Sequence, residues 1–149
     1  SVYDLGCYCT SLTLSVFEEE PKEIKAIGHF TEQQIDDFAT AYLGFGNGSR
    51  ACMTSGMCSA QRGDRFFIYG TEGTIEAPIS FNEEGTLAYY VKKEESSREI
   101  TVTAPDNYML EIEQFGGCIT DGENPRVTHE FSLRNARVMD RILKEIGYQ

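Results

Sequence analysis

The sequence predicts an α+β domain, an open and mostly antiparallel β-sheet with helices packed on one face. Three observations predict it. Both ends of the chain place apolar residues at helical spacing, the middle reads as short strands, and turns of a few residues join those strands. Short turns can join only antiparallel strands, because a parallel connection needs a long crossover.

Helical spacing marks three segments. The first runs over residues 4–17, the second starts near residue 106 and ends at residues 121–122, and the third covers 133–146. Ser132 is the predicted N-cap of the third helix. One apolar stripe defines the second helix, formed by Tyr108, Ile112, Phe115 and Ile119.

The strands of the middle region are bounded by turn residues. Asn-Gly at positions 47–48, between two apolar runs, is a strong hairpin signal. In the two strands around it, apolar and polar residues do not alternate cleanly, so neither face is plainly polar. We therefore expect both faces to be covered. The chain's own helices can cover one face, and a second copy of the chain is the natural cover for the other. The predicted strands are 23–30, 36–45, 50–58, 65–70, 73–77, 87–92 and 98–103.

The composition of the chain limits the classes of partner and the cellular location that we expect. The 149 residues include 13 Lys and Arg against 24 Asp and Glu, a formal net charge of −11. Nucleic acids and anionic membranes select for concentrated positive charge, so neither is expected as a partner. No apolar run approaches the ~20 residues of a membrane span. The five cysteines form no C-x-x-C pair, which argues against disulfides and a metal site and favours the cytoplasm.

Asp4 and Tyr8 are the candidate catalytic residues. They stand four apart on the first predicted helix, so their side chains share a face. A phenol can act as a general acid or base if a neighbouring cation lowers its pKa from about 10. The carboxylate alone would raise that pKa, and this segment supplies no cation. The alternative interpretation makes Asp4 a helix cap and Tyr8 a core residue.

Other candidate motifs are weaker. Cys7 and Cys9 are too close for an ordinary disulfide and are expected to be buried thiols. The glycine-containing segment 70–74 lies between predicted strands, with no helix after it to hold a phosphate. The sequence therefore contains no nucleotide-binding fingerprint.

Five blocks of sequence stand out together. They are D-L-G-C-Y at residues 4–8, the strand–turn–strand block at 36–50, F-I-Y-G-T-E-G-T-I at 67–75, Y-M-L-E-I-E-Q-F at 108–115 and the final helix from S-L-R-N at 132–135. In this order they resemble the C-terminal domain of the glucose–fructose oxidoreductase, inositol dehydrogenase and rhizopine-catabolism (Gfo/Idh/MocA) family. The resemblance implies a fold similar to the C-terminal domain of glyceraldehyde-3-phosphate dehydrogenase.

The resemblance also implies an NAD- or NADP-dependent oxidoreductase. Such an enzyme transfers a hydride between nicotinamide and a hydroxyl-bearing carbon of a small sugar, cyclitol or dihydrodiol. In this family a separate N-terminal Rossmann domain binds the cofactor and contributes a catalytic lysine, and neither is present here. We therefore expect residues 1–149 to be the substrate-binding and oligomerisation domain of a longer two-domain enzyme, inactive alone and paired through its open sheet.

The same resemblance assigns roles to the candidate residues. Asp4 and Tyr8 match the family's D-x-G-x-H/Y motif. Tyrosine at the second position makes the chain similar to the dihydrodiol- and xylose-dehydrogenase-like branch, in which tyrosine is the proposed proton donor. Two other functions stay open: a non-catalytic binding or dimerisation module of the same fold, and a free-standing domain that binds a small ligand.

Overall fold

The computed structural model of this protein describes residues 1–58 and 64–148. A π-helical turn, Val2–Gly6, leads directly into the first α-helix, and seven strands and two further helices follow. In chain order the elements are α1 (Cys7–Phe17), β1 (Glu23–Phe30), β2 (Asp36–Gly44), β3 (Arg50–Gly56), β4 (Phe66–Tyr69), β5 (Thr74–Ala77), β6 (Gly85–Lys93), β7 (Ser96–Ala104), α2 (Asn107–Thr120) and α3 (His129–Glu145).

The elements form two compact units. The first contains Ser1–Ala60 together with Val127–Gln149, and the second contains Gln61–Arg126. The first unit has a three-stranded sheet in the order β1-β2-β3, and the second a four-stranded sheet in the order β4-β5-β6-β7. Every strand pair is antiparallel, so the predicted α+β class is confirmed, with its strands divided between two sheets.

The core of the first unit lies between one face of its sheet and the helices. On β2 the residues Ala39, Ala41 and Leu43 are buried, as alternate positions of a strand with one packed face should be. The helices α1 and α3 and the π-helical turn contact this unit's strands. The opposite face carries Ile27, which is 75% exposed. The chain's own helices thus cover one face, as predicted.

Thr128 caps α3, and the prediction of Ser132 is wrong. The Thr128 hydroxyl accepts a hydrogen bond from the Phe131 N–H at 3.1 Å. The N–H of Ser132 itself donates to the main-chain oxygen of Thr128 at 3.0 Å. Ser132 therefore lies inside the first turn of the helix, because α3 begins one turn earlier than its apolar residues indicate. Those apolar residues are buried: Val138, Met139, Ile142 and Leu143.

The helix α2 is confirmed, but none of its residues is buried. Asp106 caps it by accepting from the N–H groups of Tyr108 and Met109 at 2.8 and 3.1 Å. An apolar stripe predicts which side of a helix favours burial, and it carries no information on where the covering surface lies. The stripe is between 64% and 73% exposed, and its members are Tyr108, Ile112, Phe115 and Ile119.

The second unit contains the two predicted hairpins, β4–β5 and β6–β7. Gly73, in the first turn, packs closely on the neighbouring strand, since a Cβ atom there would lie 2.3 Å from the main-chain oxygen of Lys92. Only glycine fits this approach. Among the described residues, no helix has both the length and the apolar composition that crossing a bilayer requires.

Candidate functional site

The chain begins with a helical turn that is wider than an α-helix. The main-chain oxygen of Ser1 accepts from Leu5 N–H at 2.8 Å and from Gly6 N–H at 3.0 Å. The second bond spans five residues and defines a π-helical turn, a rare element that is frequent at functional sites. Asp4 lies inside this turn and its side chain caps neither helical segment, so the helix-cap alternative for Asp4 is wrong.

Both candidate catalytic side chains reach solvent. Tyr8, in the first turn of α1, is 37% exposed, and Asp4 is exposed as well. The alternative in which Tyr8 is a core residue is therefore wrong. The two residues are four positions apart on one continuous helical segment, and each is accessible to solvent.

The helical segment that contains Asp4 and Tyr8 packs against the sheet of the first unit. A Cβ atom on Gly6 would lie 3.4 Å from both the Met53 side chain and the Ser55 hydroxyl, so the backbone at Gly6 rests on β3. The buried hydroxyl of Thr10 donates to the Gly6 oxygen at 3.1 Å. From α3, the Asn135 amide donates to the Cys7 oxygen at 3.4 Å. These contacts fix the backbone between Asp4 and Tyr8.

Asp36, a residue that sequence reasoning missed, anchors the start of the segment. It is buried at the first position of β2, and its Oδ2 atom accepts from the Ser1 amino group and the Val2 N–H, both at 2.7 Å. In the 149-residue chain, burial raises the pKa of Asp36, but the hydrogen bonds from Ser1 and Val2 and the charge of the Ser1 ammonium outweigh it, so the pKa lies below its usual range. The only local signal is a pair of acidic residues, Asp36 and Asp37, at the start of a mainly apolar strand.

Tyr3 was also missed, and it ties the π-helical turn to α3. Its hydroxyl donates a short hydrogen bond to the Asp140 carboxylate. That bond, with smaller contributions from desolvation and the carboxylate charge, raises the pKa of Tyr3 above its usual value. Tyr3 therefore keeps its proton near neutral pH.

The cysteines near the site form no disulfide bonds. Cys7 and Cys9 are half-buried, and all five cysteines of the chain are unpaired with one another. The Cys7 thiol donates to the Asp4 main-chain oxygen at 3.4 Å. Burial is the main cause that raises the pKa of Cys7, and the Asp4 charge adds to it. Cys7 thus stays protonated near neutral pH and does not compete with the phenol as a base.

Asp4 is not ion-paired, and the site has no cluster of metal-binding side chains among the described residues. None of the ion pairs formed within residues 1–58 and 64–148 includes Asp4. In the same residues, no group of three or more His, Cys, Asp and Glu side chains is arranged to hold a metal ion. Within the described residues, Asp4 is thus an exposed carboxylate that belongs to none of the ion pairs.

A separate cleft of about 440 Å³ lies on the second unit, around the β4–β5 turn. Its lining includes Lys92 and Lys93, which pair with Glu76 and, at 3.5 Å, with Glu72. The turn joins two antiparallel strands, so it lacks the strand-to-helix geometry that binds dinucleotide phosphates. This cleft includes neither candidate catalytic residue, and its lysines are neutralised.

Fold and site together define the class of this protein: an α+β domain that exposes a phenol and a carboxylate on its first helical segment. The chain belongs to the GFO/IDH/MocA family, because the family model described as the GFO/IDH/MocA C-terminal domain matches residues 1–76. The matched residues include Asp4, Tyr8 and the whole three-stranded sheet. The predicted family is confirmed.

Curated relatives of this chain are dehydrogenases. The chain is 29% identical over 145 residues to D-xylose 1-dehydrogenase (NADP(+)) 2 of Haloferax volcanii, covering 95% of this chain and 44% of that protein. It is 28% identical over 156 residues to trans-1,2-dihydrobenzene-1,2-diol dehydrogenase of Xenopus laevis, covering 99% and 47%. The chain thus spans about half the length of the curated relatives it matches.

Solved structures share the fold. KijD10, a 3-ketoreductase from Actinomadura kijaniata solved with NADP, superposes with a TM-score of 0.84 at 22% identity, over 97% of this chain and 47% of that one. The aldose–aldose oxidoreductase from Caulobacter crescentus, complexed with glycerol, gives a TM-score of 0.82 at 20% identity, over 98% and 45%. At this identity the likeness establishes the fold alone.

Proposed function

We propose that this chain is the C-terminal, substrate-side domain of an NAD(P)-dependent oxidoreductase. The longer enzyme transfers a hydride between nicotinamide and a hydroxyl-bearing carbon of a sugar, cyclitol or dihydrodiol. One observation carries the proposal: the partly exposed phenol of Tyr8 stands four residues from the exposed Asp4, on a segment fixed to the sheet. The names of two relatives, which specify D-xylose and a cyclic diol, support a hydroxyl-bearing substrate.

Tyr8 handles the proton of the reaction in this proposal. In the oxidising direction the phenolate oxygen takes the hydroxyl proton while a hydride leaves the carbon. In the reducing direction the phenol gives its proton to the oxygen of the developing alkoxide. The coenzyme, when bound, supplies or accepts the hydride. Asp4 accepts a hydrogen bond from a substrate hydroxyl or from the phenol and thereby orients it.

Tyr8 needs a cation to do this near neutral pH. The pKa of a phenol is about 10, and an opposite charge within a few ångströms favours its ionised form. No ion pair within the described residues includes Asp4, its neighbour one turn away. We propose that the N-terminal domain of the longer enzyme supplies this charge as a lysine, as the family resemblance implies.

The same N-terminal domain is proposed to bind most of the NAD or NADP. The glycine-containing turn at residues 70–73 connects antiparallel strands and so lacks the strand-to-helix geometry of a dinucleotide site, which supports this assignment. Relatives with NADP in their names or structures support the choice of coenzyme. Calorimetric titration of the 149-residue chain with NAD and NADP should therefore detect no binding. Micromolar affinity would contradict the proposal that the N-terminal domain binds most of the coenzyme.

We further propose a homo-oligomer through the open sheet, in the cytoplasm. Exposed Ile27 on the outer face of the first sheet supports a protein contact there. Five cysteines that form no disulfide bonds support a reducing compartment. A monomer in sedimentation velocity at micromolar concentration would contradict the oligomer.

Replacing Tyr8 by Phe in the longer protein that carries this chain tests the catalytic proposal. The variant loses the proton donor and keeps the ring, so kcat with polyols, aldoses or cyclic diols should fall by roughly 10²–10⁴. The readout is the absorbance change of the nicotinamide coenzyme. Tyr69→Phe removes the hydroxyl of an exposed tyrosine on the second unit and should leave kcat unchanged.

Three results would contradict the proposal. Equal rates for wild type and Tyr8→Phe would remove the phenol from the mechanism. Equal losses in Tyr8→Phe and Tyr69→Phe would indicate a general effect. A wild-type protein without turnover on any hydroxyl-bearing substrate would favour the non-catalytic binding or dimerisation module.

A further inference from the structure

Asp36 concentrates several hydrogen bonds on one buried oxygen. Its Oδ2 atom accepts from the Val2 N–H and the Ser1 nitrogen, both at 2.7 Å, and from the Ser1 hydroxyl at 3.1 Å. The Ser1 nitrogen also donates a short bond to the main-chain oxygen of Asp36. In a longer chain this nitrogen is a peptide N–H with a single hydrogen, and the bonds from the Val2 N–H and the Ser1 hydroxyl do not depend on it. Asp36, at the start of β2, therefore holds the two consecutive residues Ser1 and Val2.

Those two residues control the shape of the π-helical turn. The oxygen of Ser1 accepts both bonds that close the turn, from Leu5 N–H and from Gly6 N–H. The side chain of Val2 is fully buried. Asp4 lies between these fixed points, so its backbone position depends on where Ser1 is held. Displacing Ser1 would let the turn relax to ordinary α-helical spacing and rotate Asp4 relative to Tyr8.

The neighbouring acidic residue takes no part in this anchoring. Asp37 lies at a register shift between β1 and β2, where Phe30 pairs with Asp36 and His29 with Phe38. Its carboxylate pairs with His29 at 2.7 Å. Asp37 is thus a matched control: the same residue type on the same strand, with a hydrogen bond of its own and no contact with the turn.

We propose that Asp36 is a positioning residue, which holds the Val2–Gly6 turn in its π-helical form and thereby sets Asp4 against Tyr8. Its effect on catalysis rests on the proposed function, whereas the anchoring of the turn does not. The anchoring uses an acceptor oxygen at the start of β2, so asparagine can replace Asp36 in part and alanine cannot. Asp36 itself does not touch the substrate.

Two measurements on Asp36→Ala, Asp36→Asn and Asp37→Ala test this. The first is NMR-detected hydrogen exchange of the Leu5 and Gly6 amides in the 149-residue chain. Because several buried bonds are lost, Asp36→Ala should speed exchange at least about tenfold, Asp36→Asn should retain most of the protection, and Asp37→Ala should change nothing. The second is steady-state kinetics of the longer protein, where Asp36→Ala should lower kcat about tenfold or more and leave the KM for coenzyme unchanged.

The outcomes separate this proposal from the proposed function. Unchanged exchange in Asp36→Ala overturns the anchoring, and faster exchange with unchanged kcat overturns the positioning role. An inactive wild-type protein refutes the proposed function and with it the catalytic effect, whereas the exchange rates still decide the anchoring. If Asp36→Ala does not fold, Ser1→Ala removes one donor and should raise exchange about threefold, and no rise overturns the proposal.

Discussion

Identical substitutions on α2 and α3 should have very different effects on stability. Ile142 of α3 is 0% exposed and belongs to the core of the first unit, whereas Ile112 of α2 is 73% exposed. The sequence places both in apolar helical stripes, so pattern alone does not distinguish them. Ile142→Ala removes a fully packed side chain and leaves a cavity, and we expect the free energy of unfolding to fall by about 2–5 kcal/mol.

Ile112→Ala removes a side chain that is already mostly hydrated. The loss of burial is small, and alanine has a slightly better helix propensity than isoleucine, so we expect a change within about 0.5 kcal/mol. Urea unfolding of the 149-residue chain, followed by far-UV circular dichroism, measures both values. Tyrosine fluorescence provides a second probe because the chain has no tryptophan.

Two results in the comparison of Ile112→Ala with Ile142→Ala would refute the reasoning from burial. A loss above about 1.5 kcal/mol in Ile112→Ala would mean that the apolar side of α2 is packed within this chain, contrary to the observed exposure. A loss below about 1 kcal/mol in Ile142→Ala would mean that α3 does not form the core of the first unit.

Two further predictions concern the helix cap and pH. Thr128→Ala should lower the free energy of unfolding by about 1 kcal/mol, and Ser132→Ala should change it by less than about 0.5 kcal/mol; the reverse order would restore Ser132 as the cap. Because the pKa of Asp36 is lowered in the fold, the unfolded state binds its proton more tightly. The stability that Asp36 contributes is therefore present above its unfolded pKa of about 3.9 and is lost as the pH falls through the folded pKa. In urea unfolding, the advantage of wild type over Asp36→Asn should shrink between pH 6 and pH 3, and a constant difference would contradict this.

Strand positions were predictable because their signals are local. The strand β1 has the predicted bounds, Glu23–Phe30, and the hairpin after β2 turns at the predicted Asn-Gly. Alternating side chains and turn residues lie within the segment they describe, so no distant contact is needed to read them. The same holds for α2, which starts after the predicted acidic residue, Asp106.

The anchoring of the candidate site was not predictable in this way. A single π-helical turn is too short to reveal a period different from 3.6 residues, so the sequence predicts an ordinary helix from residue 4 and misses the π-helical turn at Val2–Gly6. The bond between Val2 and Asp36 spans 34 residues, and that between Tyr3 and Asp140 spans 137. Sequence spacing could nominate Asp4 and Tyr8, but only the folded chain shows what holds them.

The first unit has a consequence for how the chain is made. Its two parts, Ser1–Ala60 and Val127–Gln149, are separated by the whole of the second unit. Arg134 and Arg137 of α3 bond to Glu18 and Glu20 across 116 and 117 residues. At a synthesis rate of about 5–20 residues per second, α3 is made several seconds after β2, and during that time α3 does not cover the apolar face of β2. Nascent chains arrested before α3 therefore expose that surface, and they are expected to be clients of chaperones and proteases.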